Sequence, residues 1–287
     1  MTDDEVFSRY RRLLFAVAYR MLGSVMDAED VVQEAFTRWQ ERPEAKPRSP
    51  KAYLTTIVTR LCIDHLRLAR VQREQYVGVW LPEPLPDEHI ADPEGAVVLS
   101  ESVSMAFLLL LERLNPVERA VFLLHEVFAY DFAEIGQLIG KTAVGCRQIA
   151  RRARVRVTAD RPRLPASAEQ HGRLAREFVA ASSTGDLAAL VALLADDVTL
   201  WVDGGGKVHA PRRPVQGADL VAHLLFRRAA LHTVAPHPIN GRPAIVRERE
   251  GRTTGVLTFD VDGGRIQSIY VVANPDKLHA LFGPKSR

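Results

Sequence analysis

Cysteine is scarce: Cys62 and Cys146 are the only two, too few for a disulfide framework. That scarcity favours a reduced, intracellular setting. No apolar run approaches the roughly 18 residues a bilayer-spanning helix needs, so no membrane association is expected. The N-terminus, Met1-Thr2-Asp3-Asp4-Glu5, is acidic, and a signal peptide would begin with basic residues. Internal repeats and low-complexity tracts are also lacking. What is present has the balance of an ordinary globular protein, 47% hydrophobic and 25% charged. A chain of 287 residues suggests about two domains, each able to bury its own core. The net charge of +3 and pI of about 9.0 hint only faintly at nucleic acid.

The position of the charge says more than its total. Residues 81–134 carry two basic and eleven acidic side chains, whereas residues 135–165 carry eight basic and one acidic. A block of −9 therefore runs into a block of +7. Such asymmetry suggests a local electrostatic footprint; a solvated helix face is the plainer reading.

The pattern divides the chain into a helical segment, 1–75, a proline-rich linker, 76–95, a second helical segment, 96–160, and an α+β segment, 168–287. Pro82, Pro84, Pro86 and Pro93 forbid a continuous helix through the linker. The run from Asp160 to Pro165 breaks the pattern again. In the first segment Asp27 reads as an N-cap, with Glu29 and Asp30 in the first turn, where the helix dipole favours acids. Ala28, Val31, Val32, Ala35, Phe36 and Trp39 then form one apolar face, opposite Asp30, Gln33, Glu34 and Thr37. A helix from Pro50 buries Tyr53, Leu54, Ile57, Val58, Leu61 and Leu68. It presents Arg60, Asp64, Arg67 and Arg70 on the other side, a stripe that could track phosphates or simply be solvated.

The second helical segment holds a helix-turn-helix pattern. Asn115-Pro116-Val117-Glu118 and Asp131-Phe132-Ala133-Glu134 are both capping boxes. Gly140 reads as a left-handed stop. The next helix turns Cys146, Ile149, Ala150, Ala153 and Val157 inward, and Arg147, Gln148, Arg151, Arg152 and Arg154 outward. In this motif the second helix enters the major groove with its N-terminal part. Arg147 and Gln148 are placed to read base edges, and Arg151, Arg152 and Arg154 to grip phosphates. Gly145 costs about 1 kcal/mol against alanine, as a tolerated flaw or to admit a close backbone approach to DNA.

Asp27 to Phe36 resembles the region-two helix of extracytoplasmic-function (ECF) sigma factors. Tyr53 to Arg70, with Ile63-Asp64-His65-Leu66-Arg67, resembles their −10 element helix, and Leu111 to Arg156 resembles region four. Trp80-Leu-Pro-Glu-Pro84, Asp203-Gly-Gly-Gly-Lys207 and Asn274-Pro-Asp-Lys-Leu278 are similar to motifs of the SigJ-type subgroup. The resemblance implies a promoter-specificity subunit for core RNA polymerase that binds double-stranded and melted promoter DNA and works in the cytoplasm. It implies polymerase contacts at Asp30, Gln33 and Glu34. It implies −10 contacts at Arg48, Lys51, Arg60, Asp64, Arg67 and Arg70, and −35 contacts at Thr142, Arg147, Gln148, Arg151, Arg152 and Arg154. Regulatory contacts would involve Trp80, Pro82, Glu83 and Pro84 in the linker. Asp203, Gly204, Gly205, Gly206 and Lys207 would join them, with Asn274, Pro275, Asp276, Lys277 and Leu278. It further implies a C-terminal SnoaL-like domain of the NTF2-like fold, a cone of curved sheet and helices.

The C-terminal residues support the α+β class. Val198, Leu200 and Val202 alternate with Thr199, Trp201 and Asp203, a strand with one face toward a pocket. Strands near 253–261 and 265–273 flank Asp262-Gly263-Gly264, a good hairpin turn. A small molecule could occupy the pocket, and a retained cyclase or isomerase activity would need an acid or base there, with Asp203, His209 and His223 available. The glycines after Asp203 instead read as a turn, so regulation is favoured over catalysis, with no catalytic residue, metal or cofactor expected. A ligand-gated helix-turn-helix regulator is the other reading, but such a protein has no use for a region-two helix.

Overall fold

The computed structural model describes residues 2–42, 47–87, 103–158, 167–229 and 233–282. The break at Asp160 to Pro165, the linker beyond Asp87, the start of the second helical segment and the Arg70 side chain fall outside them. Two compact units account for the chain. The first comprises residues 1–74, 92–103 and 107–161; the second comprises 75–91, 104–106 and 162–287.

The first unit is all helical. Helix α1 (Asp3–Leu22) opens with a Thr2–Glu5 capping box and stops at Gly23, in the left-handed region at φ 69°. Helix α2 (Val25–Gln40) is capped by Ser24, whose Oγ accepts the Asp27 N–H at 3.1 Å. Asp27 therefore lies in the first turn rather than at the cap: the hydroxyl just after the Gly23 stop captures the free amide first. Helix α3 (Pro50–Glu74) completes a three-helix group with Tyr19, Leu22, Val32, Trp39, Leu54 and Val58 buried. Helices α4 (Met105–Leu111), α5 (Pro116–Glu126), α6 (Phe132–Ile139) and α7 (Ala143–Thr158) follow. Both capping boxes form, and Gly140 is left-handed at φ 71°. Val121, Leu124, Tyr130, Ile135, Leu138, Cys146 and Ala150 make the core of α5–α7. The α1–α3 and α5–α7 groups pack within this one unit: Arg119 of α5 donates to the Met21 carbonyl at 2.7 Å, and Thr55 of α3 meets the Tyr130 hydroxyl at 3.1 Å.

In the second unit, helices α8 (Ala168–Thr184), α9 (Leu187–Leu193) and α10 (Ala218–Ala229) pack on one face of a six-stranded sheet, and α11 (Pro275–Phe282) ends the described chain. The strands are β1 (Leu194–Asp203), β2 (Val215–Gln216), β3 (Thr233–Ile239), β4 (Arg242–Arg249), β5 (Arg252–Asp262) and β6 (Arg265–Val272), in the order β2-β1-β6-β5-β4-β3. Val198, Leu200 and Val202 face the helices, as their alternation predicts. Gly263 and Gly264, both at positive φ, turn β5 into β6 as expected.

The expected NTF2-like, SnoaL-like cone is corrected here: the sheet is neither closed nor strongly curved. Its edges, β2 and β3, do not pair among the described residues. Closure would need two long edges with free donors, but β2 has two residues, and Pro236 and Pro238 remove donors from β3. Alternation fixes which face of a strand is buried but carries no information about whether two edges meet.

Candidate nucleic-acid interface and linker site

In α7 the Thr142 hydroxyl accepts the Gly145 N–H at 3.1 Å and sets the start of the helix. A Cβ on Gly145 would stand 3.1 Å from that hydroxyl, so the glycine has a local reason: it leaves the cap undisturbed. Gly136, which the pattern did not single out, is more constrained. A Cβ there would meet the Lys141 carbonyl at 2.5 Å, so this glycine lets α6 and the turn before α7 close on each other.

Thr142, Arg147, Gln148, Arg151, Arg152 and Arg154 are all exposed. Arg147 lies over the Phe132 ring, 5.6 Å from its centroid. Arg151 and Arg152 have no ion pair among the described residues. Arg154 pairs with Glu126, and its neighbour Arg156 pairs with Glu118 at 2.6 Å. The exposed arginines thus divide into Arg147, Arg151 and Arg152, without an ion pair among the described residues, and Arg154 and Arg156, each held by an acid of α5.

The residues expected to face the −10 strand are less uniform. Arg48, Lys51, Asp64 and Arg67 are exposed, with Arg67 bridging Asp64 at 3.0 Å. Arg60 is exposed too, and it donates Nε to the Leu138 carbonyl at the end of α6, at 3.1 Å. Lys51 stands 5.4 Å from the Tyr130 ring centroid. Asp30, Gln33 and Glu34 are exposed along α2, and Glu34 accepts from Arg38 at 2.8 Å.

The linker residues form a second, buried site. Residues 81–86 are buried in the C-terminal unit, Leu81 and Leu85 almost completely. At one end Asp203, with no exposed surface, closes β1. Its carboxylate accepts from the Tyr76 hydroxyl at 2.6 Å, the Leu81 N–H at 2.9 Å and the Gly205 N–H at 3.0 Å, and pairs with Lys277 at 2.7 Å. Lys277 also donates to the Leu81 carbonyl and stands 4.4 Å from the Trp80 ring centroid. The Asn274 amide donates to the Tyr76 hydroxyl at 3.0 Å. Burial, then the hydrogen bond to Asp203, pushes the Tyr76 phenol well above its ordinary range, so it stays a donor. At the other end Leu85 and Asn240 exchange bonds of 3.0 and 2.8 Å, Pro86 bridges Ile239, and Asp87 accepts the Gly241 N–H at 2.8 Å. The segment therefore crosses from β1 to the edge strand β3 and covers part of that edge.

Of the expected regulatory residues, Trp80, Asp203, Asn274 and Lys277 meet here, and Pro82, Glu83, Pro84 and Leu278 are buried. Lys207 and Asp276 form an exposed pair at 2.6 Å, bridging the glycine loop to α11. Pro275 and Gly206 are exposed. A Cβ on Gly205, at φ 58°, would collide with the Asn274 side chain, whereas a Cβ on the buried Gly204 would collide with Ala210. These glycines permit close packing, so they are more than a flexible turn. Tyr76 was not expected, and no local signal marks it. A cavity of about 310 Å3 lies alongside, lined by Val77, Gly78, Gly206, Lys207, His209 and Arg212.

The catalytic candidates do not assemble. Asp203 is fully engaged, and the exposed His223 shares its Nδ1 with the Asp219 carbonyl at 2.7 Å. No cluster of three or more histidine, cysteine or acidic residues able to hold a metal occurs among the described residues. No described helix is long and apolar enough to cross a membrane. Cys62 and Cys146 are both buried, and burial raises both thiols. Neither should react with a thiol-specific disulfide reagent in the native protein, and both should react once it is unfolded. Rapid native labelling would contradict the described burial.

Comparison with known proteins agrees with this architecture. The family model of Sigma-70 region 2 matches residues 6–71, and that of Sigma-70 region 4 matches residues 104–157. The chain is 37% identical to "ECF RNA polymerase sigma factor SigJ" of Mycobacterium tuberculosis, covering 95% of this chain and 92% of that one. It is 34% identical to "Probable ECF RNA polymerase sigma factor SigI" of the same species, over 95% and 93%. The crystal structure of the M. tuberculosis SigJ superposes with a TM-score of 0.74 at 35% identity, covering 94% of this chain and 96% of that one. Likeness along nearly the whole length, with both sigma regions in order, is decisive: the chain belongs to the ECF RNA polymerase sigma factors, and its role is in transcription initiation.

Proposed function

We propose that this sigma factor brings core RNA polymerase to promoters through α2 and α7, and that its C-terminal unit modulates it in cis by holding the linker. The observation that carries the second part is the bonding of Asp203 to Tyr76, Leu81 and Lys277. The described residues 75–87 and 104–106, on the path from α3 to α5, cluster with the C-terminal unit. A linker fixed in this way limits how far α3 and α7 can separate to reach two promoter elements. Arg60 gives its Nε–H to the Leu138 carbonyl, which orients the guanidinium and leaves its other donors for DNA.

On this reading Asp30, Gln33 and Glu34 meet the polymerase, while Arg48, Lys51, Asp64, Arg67 and Arg70 serve the −10 strand alongside Arg60. Arg147 and Gln148 read the −35 element, Thr142 contacts its backbone, and Arg151 and Arg152 supply phosphate contacts. Arg154, which pairs with Glu126 through one nitrogen, has further donors for another. The cavity of about 310 Å3 is where we place a small-molecule partner, because an occupant touches the linker and the glycine loop together. A role in transcription initiation supports a cytoplasmic location.

Run-off transcription with purified core polymerase tests both parts. An Arg151→Ala, Arg152→Ala double variant should weaken promoter binding on all sequences and lower the salt slope by about two, one per lost phosphate contact. An unchanged slope removes α7 from the DNA interface. Asp203→Asn, which keeps shape but loses the charge that pairs with Lys277, should change transcript yield with wild-type affinity for the −35 duplex. Unchanged yield, with the linker shown to be released, would refute modulation in cis.

A further inference from the structure

The outward face of α7 carries two residues that its charge pattern does not explain. Successive residues turn by about 100° around a helix, and Cys146, Ile149, Ala150, Ala153 and Val157 point to the core. Val144 stands directly opposite that set, on one line with Gln148, Arg151 and Val155. Val144 is 62% exposed and Val155 64%. A β-branched apolar residue is a poor choice for a solvated helix position, since it gives up rotamer freedom and gains no burial.

Place along the helix separates the two valines. Val144 is the second residue of α7, in the turn that a helix-turn-helix presents to the major groove. Val155 lies eleven residues on, about 16 Å further along the axis, among the positioning arginines. Around Val144 the helix is trimmed: Ala143 and Gly145 flank it, so the backbone can come close to a base pair. Its neighbours one turn on, Arg147 and Gln148, are both exposed donors suited to base edges. The charge of the surrounding face is positive, which favours DNA over an apolar protein surface as the occupant. In the major groove the apolar group is the C5-methyl of thymine.

We propose that Val144 is a specificity-determining residue that reads the C5-methyl group of a thymine in the −35 element. This rests on α7 being the DNA-reading helix, as argued above. Two methyl groups of valine cover the thymine methyl and exclude water from it, while Arg147 and Gln148 fix the neighbouring pairs.

The test uses the full chain assembled with core polymerase. Binding is measured on a promoter duplex selected by the wild-type holoenzyme from a pool randomised in the −35 element. Each −35 thymine is then replaced in turn by deoxyuridine, which lacks only the methyl group. The wild-type protein should lose about fourfold in affinity at one position, the value expected for a single buried methyl. Val144→Ala should lose about the same on the thymine duplex and nothing further on the matching deoxyuridine duplex. Alanine favours helix at this exposed site, so folding is preserved. If the variant and the wild type respond alike to every deoxyuridine, or if the variant weakens polymerase assembly instead, the proposal is overturned. The Arg151, Arg152 double variant tells the two failures apart. A reduced salt slope there leaves α7 on the DNA and sinks Val144 alone, whereas an unchanged slope sinks the parent reading.

Discussion

Asp203→Ala is expected to destabilise the C-terminal unit by about 3–5 kcal/mol, the cost of leaving one member of a buried ion pair without the other. Lys277 is 9% exposed at its side chain and would lose its counter-charge while keeping the Leu81 carbonyl and the faces of Trp80 and Tyr76. The Tyr76 hydroxyl and the amides of Leu81 and Gly205 would lose their acceptor at the same moment. Urea unfolding followed by hydrogen exchange should show the Leu81 amide losing protection before the strand amides of β5 and β6. Asp203→Asn should fall between, since its amide oxygen can still accept the Tyr76 and Gly205 donors but the side chain no longer balances Lys277. A cost below about 1 kcal/mol for Asp203→Ala would mean that the carboxylate is hydrated rather than structural.

Arg119→Met should carry the second-largest cost, about 2–4 kcal/mol, in the helical unit alone. Arg119 is 3% exposed and donates to both the Met21 carbonyl and Glu112, each at 2.7 Å. Methionine keeps most of the volume, so packing loss is small. What remains is a buried carbonyl that has lost this donor and an acid that has lost its ion pair with Arg119. Glu112 is 22% exposed at its side chain and regains some water, which lowers the figure below that for Asp203. Calorimetry should show the loss in one transition only. A shift of both, or of neither, would contradict the assignment of Arg119 to the α1–α5 contact.

The readable parts of the chain were those written within a few residues. Asn115, Asp131 and Gly140 announce helix ends because a cap is a local bond, and the alternation of Val198, Leu200 and Val202 announces a buried face for the same reason. The α2 cap was misplaced by three residues because Ser24 and Asp27 are both good caps, and the adjacent Gly23 turn decides between them. The state of the sheet edges depends on which strands lie outermost, and no periodicity encodes that. The linker site was visible as three motifs but not as a bonded cluster. Tyr76 and Asp203 stand 127 positions apart, and nothing in the sequence near either names the other.

The order of synthesis gives the linker site a history. Leu81 and its partner Lys277 are separated by 196 positions, so the linker leaves the ribosome long before its dock exists. At about 5–20 residues per second the interval is roughly 10–40 s. During that time α1–α3 and then α5–α7 are complete, and Leu81 and Leu85 have no β1 or β3 to cover them. A nascent chain therefore has both sigma regions before it has the strands against which Leu81 and Leu85 pack. A chain that ends early would carry both regions with its linker permanently undocked.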